Sequence, residues 1–181
     1  MIIQNLLPLM KNPTYYERYR TKIKNLILNN LYKYSIARSD GVIFLSKYSK
    51  NIFRKYSTPK IVIPHGIEEQ FYYKGNLSYK KKSKFEIVYV AKSETYKNHL
   101  NIVRGFSNIL EDGINANLTL LGVKDQYFLK SQLYENIKHI NKKFPNSIFV
   151  KKLEKHKNIF KVYRKFDLHV YGSLCESFGI I

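Results

Sequence analysis

The chain has 181 residues, 44% of them hydrophobic, so it can form one domain with a core, or one domain and part of another. Its 32 lysines and arginines outnumber its 13 aspartates and glutamates, and the net charge of +19 favours anionic partners such as nucleotides, nucleic acid or acidic lipid. The single cysteine excludes an internal disulfide and fits a reducing cytosol, and no apolar run approaches the roughly 20 residues of a membrane span.

A long helix is the first element that the sequence predicts. An apolar opening at residues 2–9 predicts the end of a strand, and the helix is expected from Thr14 to Arg38. Apolar side chains recur in it at helical spacing, namely Ile23, Leu26, Ile27, Leu31, Tyr34 and Ala37. We expect the helix to cover a sheet. The alternative is that its lysines and tyrosines form a surface for nucleic acid or an anionic membrane.

Short elements and a polar segment follow the long helix. They are a strand at 42–45, a helix capped by Ser46 that runs to about Tyr56, and a strand at 61–63 that Pro64 and Gly66 end. Ile52 and Phe53 are expected to face inward. Residues 68–84 are polar and rich in lysine, which predicts a linker. The predicted organisation is therefore a first domain at 1–67, the linker, and a second domain at 85–181.

Strands and helices alternate regularly in the second domain. Residues 85–91 contain the continuous apolar run Ile87, Val88, Tyr89 and Val90, which is typical of a strand covered on both faces. The later elements are a helix at 98–112 with Val103, Phe106, Ile109 and Leu110 on its inner face, a strand at 117–121, a helix at 126–142, a strand at 147–150, a helix at 158–165 and a strand at 168–171. This alternation predicts an α/β fold with a doubly wound parallel sheet.

Two loops of this sheet are expected to meet at one crevice. In the commonest doubly wound order, 3-2-1-4-5-6, the strands at 85–91 and 168–171 are neighbours, and ligands bind where the order reverses. Lys92 and Lys97 follow the first strand, just before Asn98 at the expected helix start, and Glu176 follows the second. We therefore predict a ligand site formed by the two lysines and Glu176. The alternative is that these side chains are solvated surface.

The residue types at this site suit a nucleotide-diphosphate sugar. Departure of the leaving group places negative charge on a diphosphate, which Lys92 and Lys97 would stabilise. Glu176 would accept hydrogen bonds from sugar or ribose hydroxyls. The amides around Ser177, Phe178 and Gly179, at an expected helix start, would hold phosphate oxygens. His139, His156 and His169 show no metal-ligand spacing with each other or with Cys175, so we expect no metal site. Neither a GxGxxG motif after the first strand nor a Walker A motif is present, so we expect no cofactor beside the donor.

Five segments of the sequence form a recognisable series. They are SDGVIFLSKYSKNIFRKY at 39–56, IVIPHGIEEQF at 61–71, FEIVYVAKSETYKNH at 85–99, NLTLLG at 117–122 and FDLHVYGSLCESFGII at 166–181. In this order they resemble the retaining GT-B glycosyltransferases of family 4. The family's patterns at these places include "vIPnGID", "ilyVGRLxxxKN" and "PSlxEgFGlp". The resemblance implies a GT-B fold with Rossmann-like domains and an enzyme that transfers a sugar from a nucleotide-sugar donor to a glycan or lipid-linked acceptor.

The resemblance also implies roles for single residues. Lys97 corresponds to the family lysine on the donor diphosphate, and Lys92 stands where the family has arginine, so a bidentate grip is lost there. Glu176 corresponds to the first glutamate of the family's E-x7-E motif and takes the catalytic role, and 177–179 correspond to the diphosphate-binding turn. The loop that lines the interdomain cleft corresponds to Pro64, His65 and Gly66.

The resemblance further implies an incomplete enzyme. Residues 1–67 would be the tail of an N-terminal, acceptor-binding domain, and 85–181 an unfinished donor domain. The second glutamate of the motif would fall three residues beyond Ile181. We expect an inactive fragment of a cytoplasmic enzyme that works at the inner face of the membrane.

Two other functions stay open on the sequence alone. One is a non-catalytic remnant that binds a nucleotide weakly through Lys92 and Lys97. The other is a basic protein that binds nucleic acid or an anionic membrane, with an affinity that collapses as salt rises. Nucleic acid is not the expected partner, because the basic residues are scattered along the chain.

Overall fold

The computed structural model describes residues 1–3, 6–9, 19–72, 83–123, 128–152 and 156–176. Seven strands and five α-helices lie in these residues. In chain order they are β1 (Ile2–Ile3), α1 (Tyr19–Arg38), β2 (Val42–Phe44), α2 (Lys47–Ile52), β3 (Lys60–Val62), β4 (Phe85–Val90), α3 (His99–Glu111), β5 (Ala116–Leu121), α4 (Gln132–Lys143), β6 (Ile148–Lys151), α5 (His156–Tyr163) and β7 (Leu168–His169). All strand pairs are parallel, as the alternation of strands and helices predicts.

The elements fall into two compact units. The first contains Met1–Ile67 together with residues 174–176, and the second contains Glu68–Ser173. The domain boundaries inferred from the sequence stay a prediction, since residues 73–82 of the proposed linker lie outside the described residues.

The first unit is built on a sheet with the strand order β1-β2-β3. Ile3 pairs with Phe44, and Phe44 pairs in turn with Val62. The core side chains of this sheet include Ile3, Val42 and Phe44, each at most 1% exposed. Three short strands therefore suffice to bury one apolar layer.

Helix α2 begins as the sequence predicts. The hydroxyl of Ser46 accepts a hydrogen bond from the amide of Ser49 at 3.1 Å, which is an N-cap. Phe53 is buried and stacks on Phe44 with 5.4 Å between ring centroids. The prediction that Ile52 also faces inward is wrong, because Ile52 is 37% exposed. Adjacent residues of a helix point about 100° apart, so one narrow contact buries only one of them.

The second unit has a four-stranded sheet with the order β6-β5-β4-β7. Counted from β4 this order is 3-2-1-4, as expected for a doubly wound sheet. Strand β5 is buried along its whole length, and Ile87, Val88 and Tyr89 of β4 are buried as well. Both central strands are thus covered on two faces. Strands β5 and β6 are added on one side of β4, and β7 is added on the other side, so the strand order reverses there.

Helix α3 packs on this sheet with the face that the sequence predicts. Val103 and Phe106 are buried, and Ile109 and Leu110 are half-buried. Leu110 packs against the cluster of core residues that includes Ile87, Leu118 and Ile137. Helix α3 is therefore held against the sheet along its apolar stripe, which fixes where its N-terminus lies.

The apolar face of α1 contradicts the sequence-based expectation. The helix exists, but these side chains are 45% to 65% exposed: Ile23, Leu26, Ile27, Leu31 and Tyr34. Ala37 is exposed too. The buried residues of α1 are Asn25 and Ile36, on the other side of the helix. Helical periodicity locates an apolar face but does not show what covers that face. Nothing in the described part of the first unit covers the apolar face of α1.

Candidate functional site

The carboxyl ends of β4 and β7 lie side by side in the second unit. Ile87 pairs with Leu168 and Val88 with His169 in parallel register. The loop after β4 and the loop after β7 therefore leave the sheet at the same edge. This is the point at which the strand order reverses, where doubly wound sheets bind their ligands.

The two loops pack closely against each other. The Ser173 hydroxyl donates a hydrogen bond to the carbonyl of Tyr96 at 3.5 Å. A Cβ atom on Gly172 would lie 2.5 Å from Cδ1 and 2.7 Å from Cγ1 of Ile102, in the first turn of α3. Any side chain at position 172 would thus displace Ile102, so the loop after β7 is held directly on the N-terminal turn of α3.

The two predicted lysines lie in the loop after β4. Lys92 is exposed and follows directly after Ala91, while Lys97 is half-buried at the end of a 3-10 helix, Thr95–Lys97. The amine of Lys97 is 5.2 Å from the ring centroid of Tyr96, a distance typical of a cation–π contact. The hydroxyl of Tyr89 donates a hydrogen bond to the carbonyl of Lys97. Strand β4 itself therefore fixes the loop that carries Lys97.

His99 is the first residue of α3 and is only 5% exposed. Its ring lies 4.8 Å from that of Tyr89, centroid to centroid. Burial, and to a smaller extent the positive charge of Lys97, lower the pKa of His99 to about 4, although a hydrogen bond with the backbone of Ala91 acts in the opposite direction. His99 is thus neutral at pH 7 and supports the loop without adding charge.

The N-terminus of α3 adds partial positive charge beside Lys97. Asn98 stands at the N-cap position that the sequence predicts, but its backbone is left-handed, with φ of 61°, and its side chain makes no capping hydrogen bond. Its side-chain oxygen Oδ1 instead accepts a hydrogen bond from Nδ2 of the Asn101 side chain at 2.8 Å. The first amides of a helix have no acceptor within the helix, so together with Lys97 they can bind an anion such as phosphate.

The other predicted site residues belong to the first unit or fall outside the described residues. Glu176 is half-buried and follows Ser173 by three positions, in the short segment that groups with the first unit. Pro64, His65 and Gly66 are exposed in the first unit, just after β3. Ser177, Phe178 and Gly179 lie outside the described residues.

Several supporting residues could not be assigned from the sequence. Tyr89 is predicted as part of a buried strand, but its spacing gives no sign that its hydroxyl reaches Lys97. Gly172 is visible as the glycine that follows the last strand, although its contact with Ile102 is a tertiary feature. The sequence places His99 after the lysine loop, where it could touch a ligand or simply begin a helix, and its burial favours the second reading.

The part of the chain that the structure describes contains neither a cluster of metal-binding side chains nor a membrane-spanning helix. Among these residues, no group of three or more histidine, cysteine, aspartate and glutamate side chains could hold a metal ion. None of the helices in the described ranges is long and apolar enough to cross a bilayer.

Solved structures resemble the chain along most of its length. A variant of S. aureus TarM, in complex with fondaparinux, alpha-GlcNAc-glycerol and UDP, is 13% identical with a TM-score of 0.65, over 98% of this chain and 32% of that one. Trehalose-6-phosphate synthase, studied with bisubstrate glycomimetics for enzymatic glycosyl transfer with retention, is 15% identical with a TM-score of 0.65, over 86% of this chain and 44% of that one. The pneumococcal O-GlcNAc transferase GtfA, in complex with UDP and GlcNAc, is 17% identical with a TM-score of 0.63, over 83% of this chain and 29% of that one.

These likenesses are limited in the length that they cover and in sequence identity. The chain spans less than half the length of each of the three proteins. No protein-family model and no curated protein sequence matches it. At such low identities a likeness in structure establishes the fold. The chain has the α/β, parallel-sheet fold of the GT-B glycosyltransferases, with a partial Rossmann-like sheet in its second unit.

Proposed function

We propose that the chain is part of a glycosyltransferase that moves a sugar from a nucleotide-diphosphate donor to a glycan or lipid-linked acceptor, with retention of the anomeric configuration. The observation that carries the proposal is the edge of the second sheet at which β4 and β7 end together. Lys97, Lys92 and the N-terminus of α3 gather positive charge at that edge.

The chemistry of sugar transfer explains why positive charge belongs there. When the bond between the sugar and the diphosphate breaks, the diphosphate gains negative charge, and fixed cations lower the energy of that step. Lys97 would take this role, and the hydrogen bond from Tyr89 to its carbonyl supports that proposal by fixing its backbone. Lys92 keeps a positive charge but lacks the fork of an arginine, so it would contact the diphosphate through a single ammonium group.

The family resemblance supplies the remaining roles in the proposal. Glu176 would be the catalytic carboxylate and would accept hydrogen bonds from donor hydroxyls. The amides of 177–179 would bind the diphosphate, and Pro64, His65 and Gly66 would line the cleft toward the acceptor. No metal ion is needed, because lysines and helix amides offset the charge of the leaving group.

The choice of donor follows the structural neighbours. TarM and GtfA are both seen in complex with UDP, so UDP is the first nucleotide to test. The retaining outcome is proposed because trehalose-6-phosphate synthase, which shares the fold, has been studied for transfer with retention. We place the enzyme in the cytoplasm, in peripheral contact with the inner face of an anionic membrane.

Nucleotide titration tests the proposal. Calorimetry with UDP and GDP should show binding to the wild type, and Lys97→Ala should weaken it about tenfold to a hundredfold, because a hydrogen bond to a charged group contributes roughly 1.5–3 kcal/mol. Lys138→Ala is the matched control, since it removes an exposed lysine from α4. Equal affinities for the two variants, or no binding by the wild type, would contradict the donor site.

Transfer itself is proposed to need more protein than these 181 residues. Catalysis requires donor and acceptor to be held together, and the chain spans less than half of the enzymes it resembles. With a radiolabelled UDP-sugar we expect neither transfer nor hydrolysis. Turnover by the chain alone would overturn this part of the proposal but would leave the proposed donor site intact. It would also exclude the alternative hypothesis that the chain is a non-catalytic remnant that only binds a nucleotide.

A further inference from the structure

One face of the first unit's sheet carries apolar side chains that are largely exposed. Ile2 pairs with Ile43, and Ile43 pairs with Ile61, so these three side chains form a row across the sheet. Ile2 and Ile61 are each 55% exposed, and Ile43 between them is half-buried. Ile63 follows Ile61 by two residues, points to the same face and is 48% exposed. These four residues are called the isoleucine face, and the residues that the structure describes leave it largely uncovered.

The topology of the sheet explains why the isoleucine face is bare. The strand order is β1-β2-β3, so both crossovers step in the same direction across the sheet. Crossovers between parallel strands are right-handed, which places α1 and α2 on the same face. Phe53 of α2 stacks on Phe44, which belongs to the row next to Ile43 and marks the covered face. Because parallel sheets take helices on both faces, the isoleucine face is a surface for one further helix.

An apolar cavity adjoins the isoleucine face where the strands begin. Its volume is about 370 Å³, and Ile43 and Ile61 form part of its wall. Gly41 and Pro59, which have no long side chain, form another part. Lys60 also lines the cavity, but its amine donates hydrogen bonds to two backbone carbonyl groups. A large apolar side chain of an occupant would therefore fit into the cavity.

The charge of the first unit indicates what kind of helix this surface attracts. Between Tyr19 and Ile67 the sequence contains ten lysines and arginines, and Asp40 is its sole acidic residue. Such a surface attracts acidic partners and repels basic ones. A second copy of the chain carries a net charge of +19, and its long helix α1 has no aspartate or glutamate. Like charges therefore oppose pairing between two copies and favour an acidic occupant.

We propose that the isoleucine face docks an amphipathic α-helix of another polypeptide, with an aliphatic stripe toward the sheet and acidic residues on its flanks. Three strands about 4.8 Å apart span about 10 Å, which is close to the width of one helix with its side chains. A leucine or phenylalanine near one end of the helix would enter the cavity. The proposed donor site lies in the second unit, so this inference goes beyond the proposed function and does not depend on it.

A single tryptophan provides the first test, because the chain has none of its own. In Ile61→Trp the fluorophore lies on the isoleucine face. Ile27→Trp is the matched control, since Ile27 is also 55% exposed in the first unit but belongs to α1. The probe is a synthetic helical peptide of about 20 residues with leucines at i, i+3, i+4 and i+7 and glutamates on its flanks. It should shift the fluorescence of Ile61→Trp alone to the blue, and no shift for Ile61→Trp, or the same shift for both variants, would overturn the proposal.

Calorimetry with the same peptide gives the second test. Ile61→Gln should weaken binding about tenfold, because one large aliphatic side chain no longer contributes its burial. Ile27→Gln is the control and should bind the peptide as the wild type does. Equal losses for the two variants would contradict docking on the isoleucine face.

The acidic character of the occupant is tested with a second peptide, in which lysine replaces each glutamate. At low salt the wild type should bind it at least about tenfold more weakly than the acidic peptide, because the first unit is basic. Equal affinities for the two peptides would contradict an acidic partner.

Two further measurements separate this proposal from its competitors. If sedimentation equilibrium shows a dimer that Ile61→Gln dissociates, a second copy covers the face and the proposal is wrong. A monomer in both proteins supports it. The affinity for UDP should be unchanged in Ile61→Gln, so failure of peptide docking and failure of the donor site are told apart in one set of proteins.

Discussion

At the scale of single residues, Tyr89 and His99 connect the loop after β4 to the body of the second unit. Tyr89 holds the carbonyl of Lys97 through its hydroxyl, and its ring packs on that of His99. Lys97 therefore depends on a strand residue and a helix residue for its position. Neither of these would contact a donor directly, so both are positioning residues in the proposed site.

Replacing Tyr89 by phenylalanine removes this hydrogen bond and leaves the ring in place. We expect the free energy of unfolding to fall by about 1 kcal/mol, the usual net value of such a bond, and UDP affinity to fall severalfold because Lys97 is held less firmly. Urea denaturation and calorimetry measure the two effects. Tyr134→Phe on α4 is the control and should leave UDP affinity unchanged. If Tyr89→Phe binds UDP as the wild type does, the hydroxyl has no positioning role.

Gly172 is required by its contact with Ile102. Alanine at 172 would place a Cβ atom 2.5 Å from Ile102, and we expect a loss of about 1–3 kcal/mol in the free energy of unfolding. Adding Ile102→Val, which removes the Cδ1 atom, should recover part of that loss. Gly105→Ala is the control, because nothing lies within 4 Å of a Cβ there; it should stabilise the helix by about 0.5–1 kcal/mol. Wild-type stability of Gly172→Ala would show that the loop after β7 is not in tight contact with the N-terminal turn of α3.

Acid should destabilise the protein through His99. Its pKa is about 4 in the folded chain, below the ordinary value of 6.5. The unfolded chain therefore binds a proton first as the pH falls below 6.5, and stability is lost until the pH passes the folded pKa near 4. The loss attributable to His99 is about 3 kcal/mol. Urea denaturation between pH 7 and pH 4 should show a smaller loss for His99→Gln, even though the pKa of His169 is also lowered by burial and contributes in the same direction.

An equal loss of stability in His99→Gln and the wild type would contradict this assignment. It would mean that the imidazole of His99 is more accessible to protons in the folded chain than its 5% exposure suggests.

At the scale of elements, the N-terminus of α4 offers a test of capping in the second unit. The hydroxyl of Ser131 accepts a hydrogen bond from the amide of Tyr134 at 3.1 Å. Ser131→Ala should lower the free energy of unfolding by about 1 kcal/mol, measured by urea denaturation. Ser107→Ala, in the middle of α3, lacks a capping role and should be neutral or slightly stabilising. A neutral Ser131→Ala would show that the capping bond adds nothing.

The elements also show which features the sequence could predict. The order of the second sheet follows from alternating strands and helices and from the buried run in β4, because a parallel sheet with crossovers has few arrangements. The inner face of α3 follows from periodicity, since a sheet is present to receive it. The face of α1 has a similar periodicity, but none of the residues that the structure describes covers it. Periodicity reports the pattern along one helix and says nothing of what packs against it.

At the scale of the whole molecule, the sequence predicts the architecture and the loop that carries the candidate site, but only part of the site itself. Lys92 and Lys97 are identified because loops after parallel strands meet at one edge. The hydroxyl of Tyr89 and the contact of Gly172 with Ile102 depend on packing between distant segments, which spacing alone does not encode.

The central claim is that a donor diphosphate binds where β4 and β7 end, and a crystal structure of the protein with UDP tests it most directly. We expect the diphosphate at the N-terminus of α3, with an oxygen about 3 Å from the amine of Lys97. UDP bound elsewhere, or at this edge with the amine of Lys97 turned away from it, would contradict the claim.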